Sequence, residues 1–187
     1  MKQKILILAL LLSASWVACA EKVKEEKGKL VVKNADFSDL VGLQELPNGW
    51  HAGLPEGWSG ILSETSNIWT DGQGNWIANV QTMSQVSPKF TAFTQEVGMV
   101  SVSSMVTLTF EVLNPWNQSS FELGAAIYDA ITDVPLGKAA SLEIVKPGTY
   151  SVKAEIVPAG TRVKIGFWAA TGTPGIDNVK VEAKPLP

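Results

Sequence analysis

The sequence predicts an all-β domain, a sandwich or barrel of several short strands. Three features carry this: apolar residues alternate with a period of two, turn residues interrupt them at short intervals, and no convincing helical period appears. From Val106 to Val112, the side chains of Val106, Leu108, Phe110 and Val112 share one face, and Thr107, Thr109 and Glu111 take the other. The alternation returns in Leu123, Ala125 and Ile127, in Tyr150, Val152, Ala154 and Ile156, and in Val163, Ile165 and Phe167. Asn114-Pro115, Pro147-Gly148, Pro158-Ala159-Gly160 and Thr173-Pro174-Gly175 punctuate these runs.

Ahead of the domain, Met1-Lys2-Gln3-Lys4 precedes an unbroken apolar run from Ile5 to Leu12 and a small-residue stretch ending at Ala20. This is the pattern of an export signal over residues 1–20, and its apolar run falls short of the roughly 20 residues that span a bilayer. Two cleavage schemes fit. Ala18-Cys19-Ala20 suits ordinary signal peptidase, whereas Val17-Ala18-Cys19 resembles a lipobox that would lipidate Cys19, with Trp16 where that box usually has Leu. Cys19 is the single cysteine, so it has no disulfide partner within the chain. Residues 21–29 are charged and mixed in sign, as a solvated tether would be, residues 30–184 make the sandwich, and 185–187 form a tail. The expectation is an exported protein at the outer surface or in the periplasm, lipid-anchored rather than freely secreted, and touching membrane only through Cys19.

Between Asp39 and Gly74 the chain is loop-rich and carries a local echo, Leu46-Pro47-Asn48-Gly49-Trp50 and Leu54-Pro55-Glu56-Gly57-Trp58. Pro in the second position and Gly in the fourth suit tight turns, each delivering a tryptophan.

Taken in order, Asn34-Ala35-Asp36-Phe37, Pro55-Glu56-Gly57-Trp58, Trp76-Ile77-Ala78-Asn79-Val80, Phe93-Thr94-Gln95-Glu96-Val97, Leu108-Thr109-Phe110-Glu111-Val112 and Ile176-Asp177-Asn178-Val179-Lys180-Val181 form a recognisable series. It resembles the galactose-binding-like jelly roll that includes many carbohydrate-binding modules of secreted polysaccharide-degrading enzymes. The resemblance spans about Lys29 to Glu182, and it lies in the order of the motifs more than in any one of them. It implies an antiparallel β-sandwich, a jelly roll of about eight strands whose first and last strands lie close together, non-catalytic binding of an oligosaccharide or polysaccharide, core positions for Trp58 and Trp76, and a structural calcium ion near the opening and closing motifs. Ser38 follows Phe37 where the family usually has Glu, so the implied calcium ligands are Asp177 and Asp36, with Asp39 as a substitute.

A sugar offers apolar C–H faces rimmed by hydroxyls, so its site calls for flat aromatic side chains beside amides, carboxylates and cations. Six tryptophans follow the signal. If Val163, Ile165 and Phe167 face the core, then Arg162, Lys164 and Trp168 face outward, and by the same alternation so do Glu111, Glu122 and Tyr128. Trp116 and Asn117 sit in a polar loop, Asn114 to Ser120, where a large aromatic has little local reason to be. The expected ligand-binding set is therefore Trp168, Trp116, Tyr128, Glu111, Glu122, Lys164 and Asn117. Trp50, Trp69 and the sole histidine, His51, lie in the loop-rich region, His51 as a surface residue.

Beyond the signal, 13 basic against 18 acidic residues leave a net charge of −5, and no basic stripe is present, which excludes nucleic acid as a partner. One histidine and one cysteine rule out multi-histidine metal sites and cysteine-protease schemes, and no Gly-x-Ser-x-Gly elbow supports a serine triad. Two alternatives to glycan binding stand: a surface lipoprotein with a protein-interaction or structural role, and a small glycan-active enzyme using Glu111 and Glu122 as a carboxylate pair on adjacent strands.

Overall fold

The computed structural model describes residues 28–60, 67–80, 93–114, 116–138, 140–144 and 146–187. The expectations placed on residues 1–20, Cys19 included, lie outside them. Eleven strands are present among the described residues: β1 (Gln44–Glu45), β2 (His51–Ala52), β3 (Asn67–Thr70), β4 (Trp76–Asn79), β5 (Phe93–Met99), β6 (Ser104–Leu113), β7 (Phe121–Asp129), β8 (Ala140–Ile144), β9 (Gly148–Val157), β10 (Arg162–Thr171) and β11 (Gly175–Pro185). They form two sheets, one of seven strands in the order β1-β2-β3-β4-β11-β6-β9 and one of four in the order β5-β10-β7-β8, with every pairing antiparallel.

The predicted alternation sets the inner faces. Leu108, Phe110 and Val112 of β6 meet Leu123, Ala125, Val163, Ile165 and Phe167 of the smaller sheet in one core, with every one of these side chains fully buried. Aromatic rings lock the middle. Phe110 meets Phe167 edge-on at 5.0 Å, and Trp58 packs on Phe37 at 5.2 Å while its indole Nε1 donates to the Asn34 carbonyl. Trp58 is thus a core residue, and Trp76 packs half-buried against the same core. The opening and closing motifs meet as expected, since the Val179 N–H donates to the Ala35 carbonyl at 2.9 Å. Gln95 ties the opening segment to β5 by accepting from the Lys33 N–H and donating to the Lys33 carbonyl.

Three expectations are corrected. The strands carrying Glu111 and Glu122 are not adjacent: β6 lies in the large sheet and β7 in the small one, so the chain crosses between sheets through the Trp116 loop. Alternation in β9 fails at its end, where a register shift against β6 turns Val157 inward and leaves Ile156 69% exposed. The second Pro-Gly-Trp turn is also displaced by one residue. The Gly49 N–H closes on Leu46 as predicted, but in the echo the Trp58 N–H closes on Pro55, which puts Gly57 at the third position with φ 83°.

The β9 shift is testable by paired truncations. Val157→Ala is expected to cost about 2 kcal/mol in urea unfolding and Ile156→Ala less than about 0.5; the reverse order would restore the unbroken alternation.

Candidate functional site

On the outer face of the large sheet, three tryptophans gather from separate parts of the chain. Trp50 and Trp116 have ring centroids 4.9 Å apart at 36°, Trp69 and Trp116 6.3 Å at 31°, and Trp50 and Trp69 6.5 Å at 52°. Each is delivered by local structure. Trp50 leaves the Leu46–Gly49 turn, with its N–H bonded to the Asn48 side chain and its carbonyl to the Leu46 N–H. Trp69 points outward from β3 because Ile68 beside it is fully buried. Trp116 sits in a loop tied at both ends: Asn114 and Gln118 exchange side-chain and backbone hydrogen bonds, and the Gln118 amide grips Thr173 of the neighbouring turn through three more. Asn117 closes the turn in the left-handed region at φ 50°. Trp116 itself is 46% exposed.

Beside this wall lies a cavity of about 490 Å³ lined by Trp69 and Ile77, by the carboxylates of Asp71, Glu111 and Asp177, and by Asn75, Asn114, Asn178, Leu113 and Pro147. The β3–β4 turn holds Asp71 through the N–H groups of Gln73 and Asn75 and the Asn75 side chain, and these bonds keep its carboxyl below the ordinary range. Asp177 and Glu111 face each other across β11 and β6. Asn178 bridges them, its Nδ2 donating to Glu111 Oε2 at 2.8 Å and to Asp177 Oδ2 at 3.2 Å, while its backbone N–H donates to Asp177 Oδ1. Burial pushes the Asp177 carboxyl up to about 6, with the charges of Glu111, Asp36 and Asp71 adding to the rise against the Asn178 hydrogen bond.

The structure divides the expected ligand-binding residues between two faces. Glu111 lines the cavity and Trp116 joins the tryptophan wall, while Asn117 is an exposed turn residue next to Trp116. Trp168, Tyr128, Lys164 and Glu122 belong to the outer face of the small sheet, where the first two are buried, at 8% and 5% exposure. The indole of Trp168 lies down on the sheet over Gly124, where an added Cβ would stand 1.9 Å from the ring, and packs with Ala126 and Tyr128. Lys164 pairs with Asp133 and lies over the Tyr128 ring. Trp168 and Tyr128 point outward as alternation requires, but they are not the exposed platform expected. Glu111 and Glu122, expected on adjacent strands, project from opposite faces of the sandwich, on sheets that pack about 10 Å apart before side-chain length is added. They cannot serve as a glycosidase pair, which needs about 5–10 Å. His51, expected at the surface, is half-buried and meets Trp76 edge-on at 5.3 Å.

The expected calcium ligands do not form a cage among the described residues. Asp36 accepts from the Ser38 N–H and hydroxyl, and Asp177 accepts from Asn178, so the two expected ligands hold separate partners. Sequence reasoning passed over Asp71, Asn75, Asn114 and Asn178 as cavity-lining residues; for Asn114 the available signal was the Asn-Pro step that precedes Trp116.

Because Asp177 holds its proton more tightly when folded, its ionisation erodes stability as pH rises from about 3.8 to about 6, and the full cost remains above that. Asp177→Asn is therefore expected to stabilise the fold by on the order of 2 kcal/mol at pH 8 and to leave it unchanged at pH 3.5, measured by urea denaturation at both values.

No family model matches the sequence, and no curated protein matches it. Solved structures that it resembles include the CBM22-1 xylan-binding domain of Paenibacillus barcinonensis Xyn10C, at 9% identity and TM-score 0.47 over 86% of this chain and 98% of that one. A second is the CBM61 module solved with β-1,4-galactotriose, at 14% identity and TM-score 0.41 over 84% of this chain and all of that one. A third is the enzymatically active domain of bacteriophage CBA120 tailspike protein 4, at 13% identity and TM-score 0.44, of which this chain spans 21%.

Proposed function

We propose that this domain binds glycans without cleaving them, through the groove formed by Trp50, Trp69, Trp116 and the adjoining polar cavity. The observation that carries the reading is the convergence of three tryptophans, one of them nearly half exposed, beside amides and carboxylates on one face. Indole is a large apolar surface whose burial is favourable, so keeping one open to solvent has a use when an apolar sugar face covers it. The amides of Asn75, Asn114 and Asn178 and the three carboxylates then meet the hydroxyl rim. A mostly apolar floor with a few placed polar groups is the usual composition of a ligand site. The bridging of Glu111 and Asp177 by one amide suits holding a ligand's hydroxyls, since it occupies acid oxygens that a proton transfer would need.

In the same proposal the protein is exported and held at the cell surface or in the periplasm by lipid on Cys19. The basic, apolar and small-residue series of residues 1–20 and the lone cysteine support this. Cys19→Ser is expected to abolish incorporation of labelled palmitate during expression in bacteria, and a protein labelled equally without the cysteine would refute the anchor.

The binding test is a glycan array followed by titration calorimetry. Trp69→Ala and Trp116→Ala are each expected to weaken the best glycan at least about tenfold, a loss of about 1.4 kcal/mol. Trp168→Ala is expected to leave affinity unchanged in the folded fraction while costing about 3–5 kcal/mol of stability. Binding that survives both groove variants and fails with Trp168→Ala would move the site to the other sheet.

A further inference from the structure

The tryptophan groove has a sign as well as a shape. Asp71, Glu111 and Asp177 line it, and among its described lining residues there is no lysine, arginine or histidine. Lys180, three residues beyond Asp177 on β11, pairs with Glu182. What holds the three acids is neutral: the Asn178 amide on Glu111 and Asp177, and backbone N–H groups with the Asn75 amide on Asp71. Such bonds orient carboxylate oxygens without cancelling their charge; at Asp177 burial is the first cause of the upward push, and the charges of Glu111, Asp36 and Asp71 add to it. The aromatic wall has the same sign, since the face of an indole ring carries the negative part of its quadrupole and attracts cations.

Both halves of the groove therefore favour a positive group and disfavour a negative one. We propose that the groove selects glycans bearing free amino groups, with the sugar ring on the tryptophans and its ammonium against Glu111 and Asp177. The proposal rests on the glycan-binding reading above and adds the class of sugar. Uronic-acid and sulfated glycans are excluded by the same field, and neutral sugars bind more weakly because they gain nothing from it. The distance between an ammonium and these partly desolvated carboxylates, rather than the net charge of the protein, supplies the preference.

The experiment titrates the domain at pH 6 with four hexasaccharides: glucosamine, N-acetylglucosamine and glucose, each β-1,4-linked, and galacturonic acid. The glucosamine hexamer is expected to bind at least tenfold more tightly than the N-acetylated and glucose hexamers, and the galacturonate hexamer is expected not to bind. Glu111→Gln should erase the amine preference, read as the ratio of glucosamine to N-acetylglucosamine hexamer affinities within that variant. Glu155→Gln, which makes the same change in net charge at an exposed position on the far part of β9, should keep the preference. Equal binding of amine and acetylated hexamers, or a preference that survives Glu111→Gln, overturns the inference. If that flat profile is still lost in Trp69→Ala, the glycan reading stands and only the amine selectivity falls. If none of the four binds, and the array is likewise silent, both fall.

Discussion

A single β-bulge in β11 organises both the core and the groove. Up to Asp177 this strand pairs in register with β6, and from Lys180 it pairs again with the register shifted. Asn178 absorbs the difference at φ 50°, a conformation that asparagine tolerates better than most residues. Ile176 and Val179 are both buried although three positions apart, a spacing strict alternation forbids. With the extra residue, Asp177 projects into the groove opposite Glu111, the Asn178 amide falls between the two acids, and Val179 turns back to the core as its N–H reaches Ala35 of the opening segment. Bulges often re-aim a side chain near functional sites, and this one re-aims two.

The second constraint is the passage from β6 to β7. Because these strands belong to different sheets, their connection arches over one end of the sandwich, and the Trp116 loop is that arch. Its mutual Asn114–Gln118 bonds and the grip on Thr173 fix an exposed indole in place without burying it. The ordering entropy of such a loop is met before any ligand arrives, which is the condition for a preorganised site. The small sheet treats its outward aromatic in the opposite way. Gly124 leaves room for the Trp168 ring to lie flat, and the burial of that ring with Tyr128 and Ala126 makes a second apolar layer instead of a binding surface.

The groove also shows a conflict between folding and binding. Two carboxylates directly opposed across strands repel, and one of them is nearly buried, so the pair opposes stability at neutral pH. The core of fully buried phenylalanine, leucine and isoleucine side chains tolerates that opposition. Carboxylates kept at such a cost in a concave, aromatic-walled site fit a role in recognition better than one in folding.

By itself the sequence determined the strand period, the places of the turns and the inner faces of β6, β7 and β10, because these depend on local backbone preference and on a period that each strand carries alone; the core role of Trp58 and the meeting of opening and closing motifs followed from the resemblance that the motif order carries. It also placed Glu111 on an outward face from alternation and Trp116 at the surface from the polarity of its loop. Which strands share a sheet was decided only by the tertiary structure: alternation says that a side chain points outward but not from which sheet, so Glu111 and Glu122 looked like neighbours and lie on opposite faces. The trio of Trp50, Trp69 and Trp116 was equally out of reach, since these residues come from three segments joined only by folding. The burial of Trp168 depends on Gly124 in a neighbouring strand and the inward turn of Val157 on a slip against β6; both are relations between strands, which no single strand's pattern records.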